Sequence, residues 1–289
     1  MTHAPSSVSP SDSSSRNPEG RPLDVEALRA ARRGARFGHA LHYFTTVGST
    51  NDRAKELAQG DADEGTTVIA EQQTKGRGRL GRTWVSPPFR NLYLSIVLRP
   101  PLATTQAPQI GLLMGLVVAE TARVWVADAA IKWPNDVVIG GRKVAGMLAE
   151  MEAVEGSVRF VIAGIGVNLN SVPEDFPDEL RNKVSGLGSA SGAAIDRVAF
   201  TNRLLSQFEE RYDAFLRHGF AAVRSSWEQL SCLTGRRVCI EDGGQRHEGI
   251  VAGMADDGTL RLVDATQHEH AIVAGDVTVI EGYAGPKIS

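Results

Sequence analysis

The sequence predicts a mixed α+β fold, a largely antiparallel sheet with helices packed on it, followed by a small β-barrel. Residues 136–152 alternate about a Gly140-Gly141 turn, and a long strand-like run follows at 157–169; both are antiparallel signals. Residues 110–126 are apolar and too long for a strand, and residues 197–216 carry an apolar stripe at helical spacing, so both read as helices lying on the sheet. After Ser231 the texture changes to short β-branched runs at 238–240, 249–252, 260–263, 271–273 and 277–280. Turns such as Asp242-Gly243-Gly244 and Asp257-Gly258 separate them, the pattern of a small barrel of about 50 residues.

The elements follow in order. Residues 1–22 are rich in Ser and Pro with almost no large apolar side chains, and cannot bury enough surface to offset the entropy of ordering, so a disordered tail is expected. Asp24 caps a short helix whose apolar face is Val25 and Leu28 and which runs out at Arg32 and Arg33. Residues 40–47 form a strand, and Ser49 or Thr50 caps a helix to about Gln59 with Asp52 favourable in its first turn. A β-branched strand at 66–70 leads into a Gly/Arg-rich loop at 76–82. Strands at 91–98 and 130–133 flank the buried helix at 110–126, and Gly219 terminates the helix at 197–216. The expected organisation is a tail at 1–22, a catalytic domain at 23–231 and a small β domain at 232–289, with the boundary near Ser231 to Gly235.

With 289 residues the chain has room for one large and one small domain, and 42% hydrophobic against 22% charged residues excludes a disordered or fibrous protein. A formal net charge of −3 gives no broad attraction for nucleic acid, although a local basic patch fits within it. Cys232 and Cys239 have neither redox-pair nor zinc-ligand spacing and read as plain thiols in a reducing compartment. No run of about 18 apolar residues and no secretory leader is seen, so a cytoplasmic protein is expected.

The segment Gly76-Arg77-Gly78-Arg79-Leu80-Gly81-Arg82, preceded by Gln73 and followed by Trp84, combines close backbone approach with fixed positive charge, as an anion site requires. It is neither a Walker A loop nor a dinucleotide fingerprint. Read alone, it also fits a loose RNA-binding tract or a solvated loop. Lys132-Trp133-Pro134-Asn135-Asp136 puts a lysine at a strand end, where a lone lysine is usually a surface residue. Glycines interrupt two apolar strands, at Gly146 and at Gly164 and Gly166, which marks close approach by a ligand. Ser49-Thr50-Asn51 reads first as a helix cap, and Trp84 equally as a core aromatic.

Taken together, Ser49-Thr50-Asn51, the GRGRLGR loop, KWPND at 132–136, KVAGML at 143–148, GIGVN at 164–168 and the trailing β domain resemble the biotin protein ligase family over roughly residues 41–282. The resemblance implies a biotin/lipoate ligase-like catalytic domain with an SH3-like C-terminal barrel. It also implies formation of biotinyl-adenylate from biotin and ATP, then transfer of biotin to a lysine of a biotin carboxyl carrier domain. By the same resemblance, biotin is met by Ser49, Thr50, Asn51, Gln73, Arg77, Gly78, Arg79, Trp84, Lys132, Gly146 and Gly166. ATP and the adenylate are met by Gly76, Arg79, Arg82, Trp84, Lys132, Asn135 and Asn168, with Lys132 and Arg79 catalytic. Mg2+ is expected on the triphosphate; no metal-ligand set is assigned, Asp136 being one candidate.

Some members of the family carry an N-terminal winged-helix module of about 60 residues and act as repressors. About 40 residues precede the core here and over half look disordered, so a ligase without DNA binding is expected. The rival enzymatic reading is a lipoate ligase, for which Ser49, Thr50, Asn51 and Gln73 would lack partners at a cost of about 1–3 kcal/mol each. A non-catalytic biotin-binding protein is the other rival; Lys132 and the loop arginines speak against it. The Gly-rich loop is expected to order over the adenylate only when the site is occupied.

Overall fold

The structure, a computed structural model, describes residues 20–280. Most of the expected tail, residues 1–19, therefore lies outside the described residues. Helix α1 (Val25–Ala31) opens the fold, with the Asp24 carboxylate accepting the Ala27 amide at 2.9 Å as the expected cap. Strand β1 (Leu41–Val47), helix α2 (Thr50–Gln59) and strand β2 (Thr67–Gln73) form a strand–helix–strand crossover, which makes β1 and β2 parallel. Next come β3 (Leu92–Leu98), α3 (Pro108–Ala122), β4 (Ala130–Lys132), β5 (Asp136–Ile139), β6 (Arg142–Val154) and β7 (Ser157–Val167). These strands pair antiparallel, giving a seven-stranded mixed sheet in the order β1-β2-β3-β7-β6-β5-β4. Short helices α4 (Asp178–Arg181) and α5 (Leu187–Ser191) lead to α6 (Arg197–His218) and α7 (Ala221–Leu230).

Strand alternation sorts the side chains onto two faces. Val68, Val97, Phe160 and Ile162 point to one face and pack against Ala54 and Ala58 of α2. Their neighbours Ile69, Ile96, Leu98 and Val161 point to the other, into the large core completed by Leu113, Leu116 and Val117 of α3 and Leu204, Phe208 and Tyr212 of α6. Residues 95, 164 and 166 share the parity of the α2 face, and the register pairs Ser95 with Gly164, Gly164 with Leu148, and Gly166 with Gly146. Glycine at three of these positions leaves that face hollow beside the N-terminus of α2.

The C-terminal strands β8 (Arg237–Asp242), β9 (Gln245–Met254), β10 (Leu260–Val263), β11 (Glu269–Ile272) and β12 (Asp276–Val279) all form, but the expected barrel, SH3-like or otherwise, does not. They make an open five-stranded sheet in the order β11-β10-β9-β8-β12, and β11 and β12, its two edges, have no ladder between them among the described residues. Five strands laid flat would separate those edges by roughly 19 Å, and the three residues joining β11 to β12 span at most about 14 Å, so the sheet must curl. It curls without closing because each edge strand is four residues long and spends its pairing on one inner neighbour. Short β-branched runs with regular turns specify strands and their succession; they do not specify closure.

A buried ion pair ties the chain's first described residues to the core. Glu71 of β2 is fully buried and accepts from Arg197 at the start of α6, from the Leu23 amide at 2.6 Å and from the Tyr43 hydroxyl at 2.8 Å. Burial, aided by the hydrogen bond to Glu71, raises the Tyr43 phenol well above its ordinary pKa and keeps it a donor. Arg197 also donates to the carbonyls of Asn91 at 3.1 Å and Arg21 at 3.0 Å. Removing one partner strands the other charge in the core, so Glu71→Ala is expected to cost about 3–5 kcal/mol in urea denaturation. A loss under about 1 kcal/mol would contradict this assignment of the pair.

Candidate active site

Strand β1 ends at Val47, and the chain turns through Gly48 so that Ser49 takes the N-cap position of α2 in extended conformation. Ser49 makes no side-chain cap bond there, leaving its hydroxyl without the role the cap reading gives it. Thr50 and Asn51 are buried in the first turn of α2. Thr50 donates its amide to the Gln73 side-chain carbonyl at 2.9 Å, and Gln73 donates to the Ser86 hydroxyl at 3.3 Å. Asn51 donates to the Leu148 carbonyl at 3.3 Å and the Glu150 carboxylate at 2.5 Å, while its own carbonyl accepts from Ser95 at 2.6 Å.

Of these residues, Ser49, Thr50, Asn51, Gln73 and Leu148 line a cavity of about 510 Å3, within the range of a small-molecule site. Its wall includes Ser49, Thr50, Asn51, Gln73, Arg77, Gly78, Arg79, Arg82, Trp84, Lys132, Asn135, Asp136, Gly146, Gly166 and Asn168. Among the site residues named from sequence, Gly76 stands outside the wall; a side chain there would meet the Trp84 carbonyl at 2.5 Å, so it permits the close packing of the loop on itself. The strand glycines admit the protein's own side chains as much as a ligand. A Cβ at Gly164 would lie 2.1 Å from the Asn51 carbonyl oxygen, and one at Gly166 would lie 2.6 Å from the Trp84 ring. A Cβ at Gly146 would meet Trp84 at 2.8 Å and the Lys143 stem at 2.9 Å.

The Gly/Arg loop is folded on itself, Gly78 donating to Arg82 at 2.7 Å and Trp84 to Gly76 at 2.9 Å, with Leu80 exposed at its crest in left-handed conformation. Each arginine has a partner. Arg77 bridges Asp52 at 2.7 Å and Glu150 at 3.1 Å; Arg79 reaches Asn135 at 3.4 Å and the Gly275 carbonyl at 3.5 Å; Arg82 pairs with Asp276. The hydrogen bond from Arg77 holds the Asp52 carboxyl below the usual carboxylate range, against its partial burial. A lowered pKa means that this anchor is complete at neutral pH and is lost only as pH falls through the lowered value.

Sequence reasoning left out several residues that the fold brings in. Lys143 on β6 lines the cavity, 2.6 Å from Asp136 and 5.2 Å from the Trp84 ring centroid. Its signal was a lysine three positions before Gly146, directly ahead of the apolar Val144 and Ala145. Ser95 lies beneath the wall, and its signal was one serine in the apolar and aromatic run Leu92–Leu98. Glu241, Asp276, Val277 and Thr278 come from the C-terminal sheet, and nothing local marked them. Among the described residues, three buried polar atoms of the wall lack a hydrogen-bond partner: one Asp136 carboxylate oxygen, which has Lys143 as its ion-pair partner, and the Trp84 indole N–H and Asn168 side-chain carbonyl, which have none. Such atoms are uncommon in folded proteins and suit a site that a ligand completes. A mixed sheet with a glycine-floored cavity, polar groups on a helix N-terminus and several cations on the same wall defines a small-molecule-binding enzyme.

The comparisons agree. Residues 43–168 match the biotin/lipoate A/B protein ligase family. The chain is 37% identical over 260 residues to the bifunctional ligase/repressor BirA of Bacillus subtilis, covering 88% of this chain and 78% of that protein. It is 34% identical over 264 residues to the biotin–[acetyl-CoA-carboxylase] ligase of Mycobacterium tuberculosis, covering 89% of this chain and 95% of that one. Among solved structures, the biotin protein ligase from Aquifex aeolicus in complex with biotin and ATP superimposes with a TM-score of 0.72 at 28% identity, over 84% of this chain and 99% of that chain. The chain belongs to the biotin protein ligase family.

Because Asn51 occupies the space a side chain at 164 would need, Gly164→Ala is expected to destabilise the fold by about 1–3 kcal/mol through overpacking. Gly111→Ala serves as the control: it lies inside α3 with nothing within 4 Å of the added carbon, and is expected to stabilise by about 0.5–1 kcal/mol. Denaturant titration of both variants checks the pair; a neutral Gly164→Ala would remove Asn51 from its assigned place.

Proposed function

We propose that this chain activates biotin with ATP to biotinyl-adenylate and passes the biotin to a lysine of a carrier domain. The observation that supports it most is one cavity wall carrying two sets of groups: the Ser49, Thr50, Asn51 and Gln73 cluster, which suits a small neutral polar head, and Arg79, Arg82, Lys132 and Lys143, which suit carboxylate and phosphates. The Mycobacterium tuberculosis relative bears the name of this activity, and the Aquifex aeolicus structure holds both substrates.

In the first step a carboxylate oxygen of biotin attacks the α-phosphorus. The bond to the bridging oxygen breaks, and pyrophosphate leaves. Negative charge builds on the equatorial and leaving oxygens, and fixed cations in a site with little water stabilise it. We assign Lys132, Lys143 and Arg79 to the reacting carboxylate and α-phosphate, and Arg82 to the pyrophosphate. Because Lys143 is paired with Asp136, and Arg82 with Asp276, the anions must displace or outbid carboxylates already present. Among the described residues no cluster of three or more His, Cys, Asp or Glu could hold a metal ion, so Mg2+ bound to the triphosphate itself would supply further positive charge. In the second step the neutral amine of the carrier lysine attacks the acyl carbon, AMP leaves, and the amine gives up its proton.

The carrier would dock along β6. Pairing of β6 with β5 runs from Arg142 to Gly146, and beyond that point this side of β6 has no strand partner among the described residues. Exposed Met151 and Val154 lie on this stretch, and a β-rich carrier can extend a sheet edge of this kind. No helix among the described residues is long and apolar enough to cross a membrane.

Exchange of labelled pyrophosphate into ATP tests the first step. Exchange is expected to require biotin, and Lys132→Ala and Lys143→Ala are each expected to lower it at least ~10-fold, about 1.4 kcal/mol of transition-state stabilisation. Absence of biotin-dependent exchange would overturn the function, and full activity in either variant would remove that lysine from the site.

A further inference from the structure

Ser95 is fully buried on β3 and does not line the cavity, yet its hydroxyl stands 2.6 Å from the Asn51 carbonyl oxygen and 2.8 Å from the Thr50 hydroxyl oxygen. A serine has one hydrogen to give, so the direction of each bond follows from counting donors. The Asn51 amide nitrogen is committed to two acceptors that can only accept, the Leu148 carbonyl and the Glu150 carboxylate. The Asn51 oxygen therefore faces Ser95, and Ser95 must donate to it. That leaves the 2.8 Å contact between Ser95 and Thr50 without a hydrogen unless Thr50 supplies its own. Thr50 also lies 3.1 Å from the Gln73 carbonyl oxygen, but the shorter contact takes the hydrogen.

The order is then Thr50 to Ser95 to Asn51. It turns the remaining lone pairs of the Thr50 oxygen toward Gln73, whose oxygen accepts the Thr50 amide at 2.9 Å and has one lone pair left. Two acceptors face each other 3.1 Å apart at the cavity wall with no hydrogen between them. Their repulsion is relieved by a ligand N–H placed between the two oxygens and is aggravated by a ligand oxygen in the same place.

We propose that Ser95 is a positioning residue that fixes the Thr50 hydroxyl as an acceptor, so that the Thr50–Gln73 pair selects a ligand presenting an N–H donor. Resting on the biotin reading above, this assigns the pair to one ureido N–H of biotin. Ser95 touches no substrate and acts through the orientation of Thr50 and Asn51. Without it, the Thr50 hydrogen is free to turn to Gln73 or to the ligand, and the site loses its polarity while keeping its shape.

The test compares equilibrium binding of biotin with binding of its two cyclic carbamate analogues, in each of which one ureido N–H is replaced by oxygen. The proteins are the full chain, Ser95→Ala and Ser95→Cys. The unaltered protein is expected to bind biotin at least ~30-fold more tightly than one of the carbamates, because a site built for a donor rejects an isosteric acceptor. Ser95→Ala is expected to reduce that ratio to about threefold or less, with KM for ATP changed by less than about twofold. Ser95→Cys keeps a weak donor of similar shape and is expected to fall between them; it supplies the comparison if the alanine variant does not fold. An undiminished ratio in the folded Ser95 variants, or no discrimination by the unaltered protein, would overturn the proposal and leave the ligase reading intact. Failure of the unaltered protein to bind biotin at all would overturn both.

Discussion

The Asn51 side chain is the contact on which the site depends. From the first turn of α2 it reaches Ser95 on β3 and Leu148 and Glu150 on β6, and it lies flat against β7 where Gly164 leaves room for it. One amide thus fixes the helix start against three strands of the sheet. Three of its four bonding directions are taken by groups carried on paired strands, so Thr50 next to it is presented in a single orientation. A helix start held only by apolar packing would be free to slide or roll, and the hydrogen-bonding cluster would lose its aim.

Trp84 has the corresponding role on the neighbouring row of the sheet. Its ring covers Gly146 and Gly166, and its indole N–H is left without a protein partner. Lys143 leans on the same ring while paired with Asp136. Lys143 is therefore held in place before any anion arrives, which lowers the ordering needed when charge develops. The compensation is that every loop arginine is already engaged, two of them with carboxylates, and the Arg82–Asp276 pair ties the loop to the C-terminal sheet.

Much of this was legible in the residues. The strands and the long helices follow from alternation and helical spacing, and the cavity wall draws residues from each of the Ser49-Thr50-Asn51, GRGRLGR, KWPND and GIGVN segments. What was not legible depends on three-dimensional pairing. Lys143 faces the cavity because β6 and β5 shift register between Val137 and Val138, a feature no local pattern specifies. Asp276 and Glu241 reach the wall from a sheet far along the chain, and the openness of that sheet depends on which edges meet. The glycines on β6 and β7 were readable as close-approach positions. That Asn51 and Trp84 make the approach was not, because the partner of a close approach is a tertiary fact.

On the reading proposed above, the cavity selects a ligand by its hydrogen-bond donors and not by its apolar body alone. Calorimetric titration of the protein, without ATP, with biotin and separately with lipoate tests this most directly, since the two acids share an apolar tail and carboxylate and differ in the ureido group. Saturable binding of biotin and at least ~100-fold weaker binding of lipoate are expected, because each polar group left unpaired costs about 1–3 kcal/mol. Equal or tighter binding of lipoate would contradict it.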